Sequence, residues 1–256
     1  MNQTDTSLVQ KSGIRGDVLL INQTDREDYL CSSNENSCVR MISTTQRGLS
    51  RSRNMALQEA RGDICLLADD DEQFYPGYQE VILQAFSELP EADIIAFDLG
   101  NKQTRIKPEV CKVSFLNSLK LCSCQLAMRR EQILEKQLAF DPYMGSGSGN
   151  GCGEENKFLL DCLRAGLKVY YVPREIARLE TTHSEWFGGF DWTFFYQRGA
   201  STRYMLGLIP AIFYGAYYVI CKYGMYRQTI SMWGAAGAMI KGMWDNTIHK
   251  SKKKNG

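Results

Sequence analysis

The sequence has no excess charge of either sign: 30 lysines and arginines balance 29 aspartates and glutamates over 256 residues. No global field recruits nucleic acid or another polyanion, so nucleic acid is not an expected partner and charge is read locally. There is no Cys-x-x-Cys pair either. The nine cysteines, an odd number, are scattered from Cys31 to Cys221, which excludes a zinc ribbon and suits reduced thiols. The first residues, MNQTDTSLVQKSG, lack a basic stretch followed by an apolar one, so no secretory leader is read there and a cytoplasmic location is expected. Histidine is scarce, with two in the chain. The run from Met205 to Cys221 sits at the lower edge of membrane-spanning length and contains Pro210 and two glycines, so a spanning helix is not favoured.

What is present is the pattern of a large α/β domain, with 44% hydrophobic residues to build its core. DVLLIN, residues 17–22, is an apolar run closed by polar NQTDRED, as expected of a buried strand ending in a loop. Ser50 is placed to cap a helix running to about Arg61, with Gly62 as its stop. DICLLA then forms a second strand running directly into Asp69-Asp70-Asp71. After Pro76 and Gly77, Tyr78, Val81, Ile82, Ala85 and Phe86 recur at helical spacing, and ADIIAFDL is a third strand. Strand and helix alternate over 17–99, predicting a mostly parallel central sheet flanked by helices. KLCSCQLAM predicts a further strand, RREQILEKQ a short helix, 154–163 a helix, and LKVYYVP a strand. Beyond residue 190 the composition turns aromatic and basic, marking domains at 1–190 and 191–256. Lys222, Arg227, Lys241 and the lysines from Lys250 to Lys254 match the C-terminal helices to peripheral membrane contact at an anionic surface; packing on the first domain or a second subunit is the alternative.

Three constellations carry chemistry. A carboxylate cluster just past the end of a buried strand lies where open α/β sheets bind ligands. In an extended segment alternate side chains share a direction, so Asp69 and Asp71 can hold a divalent cation while Asp70 turns toward a sugar or ribose. A solvated, helix-capping turn is the bland alternative. The second is Glu154-Glu155, opening a helix after a loop with five glycines between 145 and 153. An inverting transfer needs one general base, and adjacent helical residues cannot address the same hydroxyl. Glu155 is favoured as that base, with Glu154 orienting it or binding the acceptor; stabilisation of the helix N-terminus is the competing reason for both. The third is QRGLSRSRN, where one of Arg47, Arg51 and Arg53 can fork to a pyrophosphate or to the acidic cluster. His183 is a further candidate metal ligand, although a lone histidine is more often structural.

In this order the segments resemble the inverting family 2 glycosyltransferases of the GT-A fold. The resemblance rests on Gly48-Leu49-Ser50-Arg51-Ser52-Arg53-Asn54 for G-x-S-x-x-R-N, Asp69-Asp70-Asp71 for D-x-D, Glu154-Glu155 for an acidic pair opening a helix, and Val169 to Pro173 for a strand ending in proline. It implies a GT-A nucleotide-diphospho-sugar transferase fold with a C-terminal helical module. It also implies Mn²⁺ or Mg²⁺ and the donor diphosphate on the D-x-D aspartates, and Glu155 as base. The donor-binding set becomes Gln23, Asp25, Arg53, Asp69 and Asp70, with Gln23 and Asp25 in the Asn22-Gln23-Thr24-Asp25 stretch where the family reads its nucleobase. The metal set is Asp69, Asp71 and His183. The family also begins with a strand ending in a T-x-N-like motif, and Met1-Asn2 corresponds to the end of that motif; a strand upstream of the given sequence is the expectation. The expected activity is transfer from a nucleotide-sugar donor to a glycan or lipid-linked acceptor in a bacterial surface pathway. A sugar nucleotidyltransferase and a non-catalytic scaffold are the alternatives.

Overall fold

A computed structural model of the chain describes residues 3–34, 37–101, 104, 106–148, 150, 153–180, 188–245 and 247–248. The elements in chain order are α1 (Ser7–Lys11), β1 (Asp17–Gln23), β2 (Asp28–Asn34), β3 (Ser37–Thr44), α2 (Leu49–Glu59), β4 (Ile64–Leu66), β5 (Glu72–Phe74), α3 (Tyr78–Glu88), β6 (Ile94–Leu99), β7 (Cys111–Lys112), α4 (Phe115–Ser118), β8 (Leu126–Arg129), α5 (Arg130–Glu135), α6 (Glu154–Arg164), β9 (Val169–Leu179), α7 (Trp192–Leu206), α8 (Leu208–Cys221), α9 (Tyr223–Tyr226) and α10 (Met232–Asp245). They fall into two compact units. One comprises Met1–Arg47, Arg51–Phe140 and Glu155–Thr182; the other comprises Gly48–Ser50, Asp141–Glu154 and His183–Gly256.

The first unit is built on β6. Its side chains alternate between two apolar cores, as the period of a strand requires. Ile94 and Ala96 join Leu57 of α2, Ile133 of α5 and Phe158, Leu159 and Cys162 of α6. Ile95, Phe97 and Leu99 join Tyr78, Ile82, Ala85 and Phe86 of α3. Helices thus cover both faces of a six-stranded sheet whose path is β4-β8-β6-β9-β5, with β7 on β9; a three-stranded sheet runs β1-β3-β2. Each fully buried isoleucine or leucine of these layers contributes about 1.5–3 kcal/mol through burial.

Three expectations need correction. The sheets are mixed rather than mostly parallel: among the described residues, β1 with β3 and β6 with β9 run parallel, while the other five pairings are antiparallel. Strand and helix do not alternate from the start, because β2 and β3 form an antiparallel hairpin directly after β1. β2, DYLCSSN, is an edge strand with Tyr29 and Leu30 exposed, so it lacks the alternation that marks a half-buried strand. KLCSCQLAM is a strand only from Leu126. A 3₁₀ turn over Ser123–Gln125 precedes it, because the Gln125 carboxamide accepts from the Cys122 N–H at 3.1 Å and donates to the Phe97 carbonyl at 2.8 Å.

The second unit contains α7 to α10 around Phe195, Ala211, Val219, Tyr226, Ala235, Ala238, Met239 and Met243. Asp191 caps α7 by accepting the Phe194 N–H at 2.7 Å. The α7 and α10 backbones touch. A Cβ on Gly199 would lie 2.2 Å from the Met239 carbonyl oxygen, and one on Gly242 would lie 2.0 Å from that of Tyr196. Among the described residues no helix is long and apolar enough to cross a membrane.

Candidate active site

Asp69, Asp70 and Asp71 occupy the turn between β4 and β5 in the first unit. The turn is held from four sides. Leu67 N–H donates to the Leu126 carbonyl at 3.1 Å, and Glu180 N–H donates to the Asp71 carbonyl at 2.7 Å. Arg53, buried on the inner face of α2, donates to Asp69 Oδ1 at 3.3 Å and to Ser123 Oγ at 2.6 Å. Glu72 accepts the Asp69 N–H on Oε2 at 2.7 Å.

Burial pushes the Asp69 carboxyl upward, Arg53 opposes that shift, and the charges of Asp71 and Asp70 add to it. Glu72 is 1% exposed and its Oε1 has no partner. Burial pushes its carboxyl up to about 9, with the neighbouring acids contributing. This residue was not anticipated; a fourth acid following three aspartates looks like part of the same polar turn, and only its burial sets it apart. Asp70 is exposed and Asp71 half-buried.

Arg53 and its neighbour Asn54 brace the unit in two directions. The Asn54 carboxamide pairs with the backbone of Phe140, donating to its carbonyl at 2.8 Å and accepting its N–H at 2.7 Å. The Phe140 ring lies 5.5 Å from the Arg53 guanidinium and stacks on Phe158 of α6 at 4.2 Å. Thus the Arg-Asn dipeptide joins the aspartate turn to the helix that Glu154 and Glu155 open. Asn156 fixes that helix's first turn by donating to the carbonyls of Ser118 and Leu121 at 3.1 and 3.3 Å. Glu155 is half-buried and belongs to this unit.

Glu154 is buried and belongs to the second unit, with the glycine-rich segment folded over it. A Cβ on Gly145, where φ is +91°, would stand 3.1 Å from Glu154 Cγ and Cδ. Ser50 does not cap α2; it lies inside that helix and donates to the Met144 carbonyl at 2.7 Å. Gly48, at φ +115°, and Gly147 approach so closely that a Cβ on Gly147 would meet Gly48 Cα at 3.2 Å, which accounts for the first residue of the G-x-S-x-x-R-N segment.

Gln23 ends β1, half-buried. Asp25 is exposed and accepts from Arg47 at 2.6 Å, while Arg47 also donates to the carbonyls of Thr24 and Thr44. Of the three arginines, Arg47 fixes the loop after β1, Arg51 is exposed, and Arg53 reaches the acidic cluster. His183 lies outside the described residues. Among the described residues, no three histidine, cysteine, aspartate or glutamate side chains converge as a metal cage. Asp69 and Asp71 present carboxylate oxygens, the donor type that hard divalent cations take.

The α/β architecture is similar to that of known glycosyltransferase structures. S. aureus TarS 1-349 in complex with UDP-GlcNAc superimposes with a TM-score of 0.59 over 93% of this chain and 82% of that one, at 12% identity. The mannosyltransferase PcManGT of Pyrobaculum calidifontis, in complex with GDP-Man and Mn²⁺, gives 0.55 over 99% and 76%, at 11% identity. Residues 22–136 match the family model described as glycosyl transferase family 2. An uncharacterized glycosyltransferase of Haemophilus influenzae is 28% identical over 90 residues, which are 35% of this chain and 31% of that protein. The match thus spans about a third of that relative's length.

Proposed function

We propose that the chain transfers a sugar from a nucleotide-sugar donor to a polysaccharide or lipid-linked acceptor, with inversion and with a divalent cation. The supporting observation is the Asp69–Asp71 turn, held by Arg53 and Glu72 within the unit that also carries Glu155. Asp69 and Asp71 are the carboxylates for Mn²⁺ or Mg²⁺, with His183 a further candidate. A cation bound there neutralises charge on the departing diphosphate. Asp70 orients the donor, and Gln23, together with Asp25 steadied by Arg47, contacts its base or ribose. Glu155 removes the acceptor hydroxyl's proton while the nucleotide leaves from the opposite face, and Glu154 orients that base or the acceptor. The neighbours in complex with UDP-GlcNAc and GDP-Man define the donors to try first.

In this reading residues 1–190 carry catalysis, and 191–256 form a helical module at the inner face of the cell membrane. Incubation of the purified chain with nucleotide sugars and Mn²⁺ tests the activity. Release of nucleoside diphosphate supports transfer, release of pyrophosphate replaces it with nucleotidyl transfer, and release of neither across the donor panel leaves a binding scaffold.

A further inference from the structure

α8 contains no charged residue along its 14 positions, LIPAIFYGAYYVIC. Its inward face is small: Ala211, Gly215 and Val219 are turned into the second unit, where a Cβ on Gly215 would meet Met243 Cε at 2.8 Å. The outward face is large and apolar. Ile209, Ile212, Phe213, Tyr217 and Ile220 follow one another at helical spacing in contact with solvent, Ile209 and Phe213 being 70% and 72% exposed. A helix that served only its own unit would carry polar residues there.

Charge identifies the occupant of this face. Residues 188–256 hold nine lysines and arginines against Asp191 and Asp245, a basic excess the rest of the chain offsets almost completely. At the end of α8, Lys222 Nζ lies 5.7 Å from the centre of the Tyr217 ring, so its apolar stem follows the stripe and its ammonium stands at the margin. The same composition recurs on α10, where Trp233, Ile240 and Trp244 are exposed beside Lys241. An apolar helix face with basic and aromatic margins is the chemistry of a helix lying in the headgroup region of an anionic bilayer. A second copy of the same basic module would be opposed by its own charge, and α8 is too short to span.

We propose that the Ile209–Ile220 stripe of α8 is a membrane-docking surface for anionic phospholipid. This deepens the lipid-linked-acceptor reading, on which it rests for its purpose, and vesicle binding measured without donor or acceptor tests it apart from transfer. In co-sedimentation, the full chain is expected to bind phosphatidylcholine vesicles containing phosphatidylglycerol, less so as salt rises, and pure phosphatidylcholine weakly. Phe213→Glu is expected to lower that binding about tenfold or more, with donor hydrolysis and circular dichroism unchanged. Ile209→Gln, at a more peripheral exposed site, gives a smaller loss in the same direction, and Lys222→Glu weakens binding to the anionic vesicles alone. Wild-type protein that ignores both vesicle types overturns the proposal. So does a wild-type dimer that Phe213→Glu converts to monomer while vesicle binding stays unchanged, since the stripe would then belong to a second copy.

Discussion

Arg53 reaches Asp69 from inside the protein: its guanidinium is buried on α2 and donates to Asp69 Oδ1 at 3.3 Å, while the aspartate side chain keeps 39% of its surface exposed. The aspartate is positioned from its buried side and keeps an open side for a ligand. Replacing Arg53 by alanine removes two hydrogen bonds and leaves Ser123 Oγ and Asp69 without that partner. The expected loss is about 1.5–3 kcal/mol in urea unfolding, with the lower end favoured because solvent screens the exposed aspartate. Lysine recovers only part of it, since one ammonium cannot reproduce the forked geometry.

Asp71→Ala is expected to abolish cation-dependent donor binding while keeping the backbone contact in which the residue 71 carbonyl accepts from Glu180. Calorimetric titration of UDP-GlcNAc or GDP-Man with and without Mn²⁺ reads this directly. Unchanged Mn²⁺-dependent affinity in the variant would move the cation to other residues.

Glu155→Gln is expected to keep donor affinity and reduce turnover by about 10²–10⁴-fold, the usual contribution of a general base. Glu154→Gln, which removes the carboxylate that orients the base or the acceptor, is expected to cost less turnover than Glu155→Gln. Near-normal turnover in Glu155→Gln would transfer the base to Glu154 or to Asp191.

The carboxyl of Glu72, displaced from 4.5 to about 9, imposes a pH dependence on stability. Between those values the folded state holds a proton that the unfolded state releases, so this group's contribution falls as pH rises from about 4.5 to about 9. In metal-free buffer the wild-type unfolding midpoint is therefore expected to drop between roughly pH 6 and pH 8 more than that of Glu72→Gln. The glutamine oxygen can still accept the Asp69 N–H. Parallel curves for the two proteins would show that Glu72 is charged in the folded state.

Gly145→Ala places a methyl group 3.1 Å from the Glu154 side chain at a backbone φ of +91°. A loss of about 1–3 kcal/mol is expected from strain at this left-handed position, measurable by chemical denaturation.

The parts of the fold legible in the sequence are those where apolar residues repeat with a clear period. The stripe Tyr78, Ile82, Ala85 and Phe86 marks α3, and the continuous run Ile94 to Leu99 marks a strand buried on both faces. The β2 edge strand was illegible because it buries too little to impose a pattern, and Gln125 hid a turn inside an apolar stretch through bonds its side chain makes to the backbone. At the candidate site, the sequence offered Arg53-Asn54, Asp69–Asp71 and Glu154-Glu155 in order as an expectation. The link between them was not legible, because it passes through the ring of Phe140, a residue with no polar signature.

The contact of α7 with α10 at Gly199 and Gly242 bears on how the C-terminal module tolerates change. Where two backbones meet this closely, main-chain contacts add to the packing of Phe195, Met239 and Met243, and little of the adhesion depends on the residues that face outward. The outer surface of α10 can therefore be recoded without loosening that crossing, whereas one added methyl at either glycine would pry the two rods apart.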